Sequence, residues 1–234
     1  MSDAHFALDI GTRTVVGLIT DNKQLNIKAA CIKEHEERSM QDGQIHDVEK
    51  VALVVDSVKN ELEEQIGQKL TEVSVAVAGR ALKTSKVRLG LEIPYREITK
   101  ADISELEFEA VARAGNELGI DKGFNCVGYS IVSYELDEQR INNIVGQKGS
   151  YIAVEVLATF LPEAVINSMF AVLDRCGLEA SSVTLEPIAA LNVAIPPDMR
   201  KLNIALVDVG AGTSDIAITD NGTVIGYGMV PGSR

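Results

Sequence analysis

The alternation of apolar and polar positions predicts strands at both ends of the chain, and a longer apolar period predicts helices between them. Residues 5–33 read as a β-meander whose third strand covers 25–32. The stretch 34–47 is polar and loop-like. His35 and His46 stand there among carboxylates, but without metal-ligand spacing, so it reads as a solvated loop. Asp47 then caps a helix that carries Val51, Val54, Val55, Val58, Leu62 and Ile66 on one face and closes at Gly67. Val73, Val75 and Val77 alternate as a strand ending at Ala78-Gly79-Arg80. Strands, helix and strand in this order predict a sheet covered by a helix, an α/β layer.

The pattern changes character near residue 82. A strand is predicted over 83–93 (Val87, Leu89, Leu91, Ile93), stopping at Pro94. Thr99 to Asp102 resembles a capping box, opening a helix with Ile103, Leu106, Ala110, Val111, Ala114 and Leu118 on one face. Two further strands, 124–136 and 150–160, are joined by a polar loop over 137–149. This strand–helix–strand–strand block reads as a small domain inserted into the first one. Pro162 opens a helix (Val165, Ile166, Met169, Val172, Leu173) that ends at Cys176-Gly177. A short strand at 182–185 leads into an apolar helix beginning Glu186-Pro187-Ile188-Ala189-Ala190 and breaking at Pro196-Pro197.

Two hairpins, one near each end, are copies of each other. The first runs Leu8-Asp9-Ile10-Gly11-Thr12-Arg13-Thr14; the second runs Val207-Asp208-Val209-Gly210-Ala211-Gly212-Thr213. Placing Asp9 on Asp208 carries the match without a gap to Thr20-Asp21-Asn22 on Thr219-Asp220-Asn221. A strand over 223–230 follows the second copy. Gly turns let the backbone approach a ligand closely, and successive N–H groups make an anion-binding concavity. Thr12, Thr14 and Thr213 add hydroxyl donors. Asp9 and Asp208 are placed to hold a divalent cation through water, because Mg²⁺ gives up its hydration shell reluctantly. An isolated copy would read as an ordinary hairpin; the matched pair reads as a clamp on a polyphosphate and its metal.

Composition narrows the partners. A net charge of −12 and a pI near 4.7 argue against general nucleic-acid binding and against adhesion to anionic membranes, and Trp is absent. Cys31, Cys126 and Cys176 are odd in number and lack C-x-x-C spacing, which predicts free, buried thiols in a reducing compartment. The start at Met1 runs into the first strand with no room for a signal peptide, and apolar runs are too short to span a membrane, so a soluble cytoplasmic protein is expected.

Two strand–turn–strand phosphate motifs in α/β halves resemble the actin-like ATPase superfamily, with its ribonuclease H-like fold. The first copy is similar to the phosphate-1 loop. Asp208 to Asp215 is similar to phosphate-2, D-[ILV]-G-G-G-T-x-D, from which Ala211 departs at the middle Gly. The stretch 186–190 resembles the first connecting motif of DnaK-type chaperones and MreB, which implies that Glu186 positions the water attacking a γ-phosphate; alone it would be a helix-starting Glu complementing the dipole. Within the superfamily, Ser39 to Asp47, the block at 82–160 and Val172 to Leu178 resemble the FtsA and PilM branch. Arg13, where FtsA tends to carry Ser-Lys, diverges.

The resemblance implies subdomain 1A at 1–81 and 161–201, an inserted subdomain 1C at 82–160, and the start of subdomain 2A at 202–234. It implies ATP with Mg²⁺ as cofactors: Glu186, Asp9 and Asp208 as catalytic residues, Asp9 and Asp208 at the metal, and Gly11, Thr12, Arg13, Thr14, Gly210, Ala211, Gly212 and Thr213 around the phosphates. Hydrolysis would be slow or absent, since phosphoryl chemistry needs chiefly orientation and electrostatics. The expected role is a bacterial cell-division or cytoskeletal scaffold, meeting an FtsZ-like filament or other assembly protein through 82–160, with self-association possible. A PilM-like pilus or secretion adaptor is one alternative. A metabolic kinase of the superfamily is another, but it needs a catalytic base beside an acceptor hydroxyl, and none is found outside the ATPase motifs. The family's adenosine motif and C-terminal amphipathic membrane helix would fall beyond residue 234, so the chain is expected to be an N-terminal portion, with any membrane contact made by a later segment.

Overall fold

The computed structural model describes residues 4–21, 26–77, 79, 81–119, 123–196, 198–199 and 202–232. Met1, Asn22, Leu25, Ala78, Arg80, Pro197 and Arg234, within the stretches read above, lie outside the described residues. The chain opens with β1 (Ala4–Ile10), β2 (Thr14–Asp21), β3 (Ile27–Glu34), β4 (Met40–Gln41), β5 (Gln44–Ile45), α1 (Val48–Ile66) and β6 (Glu72–Val77). It continues through β7 (Lys83–Glu97), α2 (Lys100–Glu117), β8 (Phe124–Leu136), β9 (Gln139–Ile141) and β10 (Lys148–Pro162). It then runs through α3 (Glu163–Arg175), β11 (Glu179–Leu185), α4 (Glu186–Ala194), β12 (Ile204–Val209), β13 (Thr213–Asp220) and β14 (Thr223–Pro231).

The first sheet has the order β11-β6-β1-β2-β3. β1, β2 and β3 form the antiparallel meander, while β1, β6 and β11 run parallel, as strands joined by covering helices must. α1 starts where the Asp47 carboxylate accepts the Lys50 N–H at 3.1 Å and stops at Gly67, which is left-handed at φ 68°. Val51, Val55, Val58 and Leu62 bury completely against Phe6, Leu8, Val15 and Ile19, and α3 adds Met169, Val172 and Leu173 to the same core. Each such side chain contributes roughly 1.5–3 kcal/mol by leaving water. Val54 and Ile66, at the margin of the apolar stripe, are only partly covered.

The block between β6 and α3 builds its own sheet, β7-β10-β8-β9, with α2 laid on β7 and β10. Thr99 and Asp102 form the capping box, and Arg96 holds the Asp102 carboxyl well below the usual carboxylate range. Three local expectations fail here. β7 does not stop at Pro94 but runs on to Glu97. It is an edge strand, and its register on β10 shifts between Tyr151 and Gly149, so a proline without an N–H removes no ladder bond. The polar loop 137–149 contains β9 and buries Ile144 at 1% exposure, held by a hairpin whose Asp137 and Glu138 take positive φ. Cys126 is exposed rather than buried, because α2 leaves β8 half open. Cys31 and Cys176 are buried thiols as expected, and burial pushes Cys176 up to about 11.

The third sheet is β12-β13-β14. α4 packs on it through Leu191, and so does the inserted sheet, where Leu157 meets Leu191, Ala217 and Tyr227. A hydroxyl pair, Ser130 Oγ and Tyr227 Oη at 3.1 Å, crosses the same junction. α4, which begins at Glu186, is thereby held between the second repeated hairpin and the strands β6 and β11.

Candidate functional site

The two repeated turns close identically. Gly11 N donates to Thr14 O at 2.9 Å, and Gly210 N donates to Thr213 O at 2.8 Å. An ideal Cβ at Gly11 or Gly210 would lie 3.2 Å from the Thr14 or Thr213 carbonyl oxygen, respectively. The turns also meet each other. A Cβ at residue 212 would stand 2.6 Å from Thr12 Oγ1, so only glycine lets Thr12 rest against the second turn.

Four carboxylates gather behind the turns. Asp9 and Asp208 are the next-to-last residues of β1 and β12, Asp208 lies directly across from Asp215 on β13, and Glu186 begins α4. Burial and then the charges of Asp9, Asp215 and Asp208 push Glu186 up to about 8. Burial and the charge of Asp208 raise Asp9, although the residue as a whole keeps substantial solvent exposure. Burial also raises Asp215, partly offset by a hydrogen bond from Thr213, with Asp208 adding to the rise. Carboxylates that raise one another's pKa lack a counter-charge, and a cation among them would reverse the shift. Among the described residues, no group of three or more His, Cys, Asp or Glu is already arranged as a metal-ligand shell. A water-mediated ion at Asp9 and Asp208 needs no such shell.

The other named residues fall around this centre. Thr12, Arg13, Ala211 and Gly212 line a cleft of about 530 Å³ beside the turns, together with His35, Arg38 and His46. None of the four acids lines it. Thr213 is buried, Ala211 is exposed, and Arg13 turns outward to an exposed ion pair with Glu34 at 2.9 Å. The donor set suits an anion with its cation.

Two features escape the sequence reading. Asp215 is a buried member of the acid cluster, and its signal is the final Asp of the second motif. The stretch 34–47 is not a solvated loop: β4 and β5 form a hairpin, Ser39 is buried at 2% exposure, and His35 Nε2 bonds Gly11 O at 3.1 Å. A polar composition conceals this docking, because the partners are backbone atoms.

No family profile matches the chain. The chain is 26% identical over 228 residues to cell division protein FtsA of Pseudomonas aeruginosa and 23% identical over 228 residues to FtsA of Neisseria meningitidis, in each case over 96% of this chain and 53% of the relative. A solved PilM-PilN type IV pilus biogenesis complex superposes with a TM-score of 0.71 at 13% identity, over 97% of this chain and 61% of that one. The chain has the actin-like ATPase fold and is similar in sequence to FtsA proteins. It spans about half the length of the curated FtsA relatives it matches. Among the described residues, no helix is long and apolar enough to cross a membrane.

Proposed function

We propose that this FtsA-like chain binds ATP with Mg²⁺ as part of a cell-division scaffold and hydrolyses it slowly or not at all. One observation carries the reading: two copies of the same Gly turn meet face to face, with Asp9, Asp208, Asp215 and Glu186 gathered behind them. Gly11, Thr12, Thr14, Gly210, Ala211, Gly212 and Thr213 would hold the phosphates, with Arg13 at the rim. Asp9 and Asp208 would hold Mg²⁺ through water. Bound Mg²⁺ would supply the counter-charge that the carboxylates lack and would draw charge from the phosphates. The chain's own part is orientation: Glu186, fixed at the start of α4, accepts a hydrogen bond from a water once it is ionised.

We assign 1–81 and 161–201 to subdomain 1A, 82–160 to subdomain 1C and 202–234 to subdomain 2A. Residues 82–160 would meet an FtsZ-like filament on the cytoplasmic side of the membrane. The likeness to the pilus complex favours a second reading, a PilM-like assembly adaptor with the same nucleotide site and another partner. Calorimetric titration tests the shared core of both. ATP should bind with Mg²⁺ and lose affinity with EDTA, and Asp208→Asn should abolish the Mg²⁺ dependence. Binding that ignores Mg²⁺ and Asp208→Asn would overturn the assignment. Co-sedimentation with FtsZ-type filaments, with and without residues 82–160, separates the two partners.

A further inference from the structure

We infer that His35 is a positioning residue for the first phosphate turn, acting through a brace that ties this turn to the start of α1. The inference rests on the reading above for the identity of the ligand, but the brace itself is visible in the fold. His35 holds the turn at two points. Its N–H donates to Arg13 O at 3.0 Å, and its Nε2 lies 3.1 Å from Gly11 O. A carbonyl oxygen can only accept, so Nε2 carries the proton, and in the neutral ring Nδ1 is then the acceptor. Ser39 Oγ, 3.1 Å away, donates to it.

Ser39 continues the brace. It is almost wholly buried, and its carbonyl accepts the N–H groups of His46 and of Asp47, the residue that caps α1. The hairpin between them closes on the turn from the other side. Asp42 and Gly43 take positive φ at its tip, and Gly43 N donates to Thr12 Oγ1 at 3.0 Å. A Cβ at Gly43 would lie 3.2 Å from the Thr213 methyl, so the tip touches the second turn as well. Gly11, Thr12 and Arg13 are thus each bonded to the stretch 35–43. A turn that binds phosphate through its backbone needs that backbone held before the ligand arrives, and preorganisation of this kind is read as affinity.

The test compares the wild-type chain with His35→Ala, Ser39→Ala and His35→Gln, which keeps a donor near the position of Nε2. Hydrogen exchange of each ligand-free protein is followed by titration with Mg·ATP. His35→Ala should speed exchange of the amides at 11–14 by about tenfold, the order of one lost hydrogen bond, while α1 and β10 stay protected. It should also weaken Mg·ATP about tenfold, with His35→Gln restoring both and Ser39→Ala giving a smaller loss. Unchanged exchange at 11–14 would overturn the inference. So would loosening spread evenly over α1 and β10, or failure of His35→Gln to recover either readout. If the wild-type chain does not bind Mg·ATP, the nucleotide reading falls, and the exchange comparison still decides whether His35 braces the turn.

Discussion

The two hairpins share a sequence pattern and a turn geometry, yet they are buried on opposite faces. Leu8 and Ile19, at 3% and 0% exposure, face α1; their counterparts Val207 and Ile218 are 54% and 43% exposed. Conversely, Leu18 is only half covered, while its counterpart Ala217 is sealed against Leu157 and Leu191. Val16 of the first copy becomes Asp215 in the second, and that position is the buried one. The repeat therefore dictates the turn, whose hydrogen bonds lie within it, but not the face that loses water. Neighbours decide that: α1 for the first hairpin, and α4 with the inserted sheet for the second. The arrangement brings Asp208 and the buried Asp215 into the same electrostatic cluster as Asp9 and Glu186, where a site can form.

This contrast is easiest to break through matched substitutions. Ile19→Ala should cost about 2–5 kcal/mol in a denaturant titration, since it empties a filled core position. Ile218→Ala, its repeat counterpart, should stay within about 1 kcal/mol, because much of the side chain is already in water. Equal costs would mean that the exposed face of the second hairpin is covered in solution.

The acid cluster gives the next largest effect. Glu186 titrates at about 8 in the fold, against 4.5 for the free residue. Between those values the folded chain holds a proton that the unfolded chain releases, so this contribution to stability is complete below about pH 4.5 and is lost as pH rises towards 8. The raised Asp9 and Asp215 act in the same direction. Glu186→Gln should flatten the fall in thermal midpoint across that window, and millimolar Mg²⁺ should oppose the fall in the wild-type chain. A midpoint that rises between pH 5 and 8 would contradict the clustering.

Smaller effects should follow at the turns. Gly212→Ala must displace Thr12 and should cost about 1–3 kcal/mol, as overpacking does. Gly11→Ala and Gly210→Ala meet equivalent carbonyl contacts and should cost nearly the same as each other, which thermal melts can compare directly. A large inequality would show that the shared turn geometry is less complete than its hydrogen bonds indicate.

What was legible in the sequence follows the same division between local and non-local causes. The α1 cap at Asp47, the capping box at Thr99, the Gly67 stop and both Gly turns are set by residues a few positions apart, and each was readable. Asp9 and Asp208 stand out through the repeat, and Glu186 through the resemblance of 186–190 to a family motif. The continuation of β7 through Pro94 was not readable, because only the partner strand shows that no ladder bond is lost there. His35 was passed over because its partner is the backbone of Gly11, distant in sequence. Asp215 closes its motif in the sequence, but its burial depends on the far side of the second hairpin, which no local pattern shows.

The most direct test of the account is a two-dimensional amide NMR titration of the chain with ATP, with and without Mg²⁺, following the resonances of Gly11, Gly210 and Gly212. All three should shift together at one apparent affinity. The shifts should require Mg²⁺ and should vanish in Asp208→Asn. Shifts confined to one hairpin, or shifts at both that ignore Mg²⁺ and Asp208→Asn, would contradict the claim that the two repeated turns form one site.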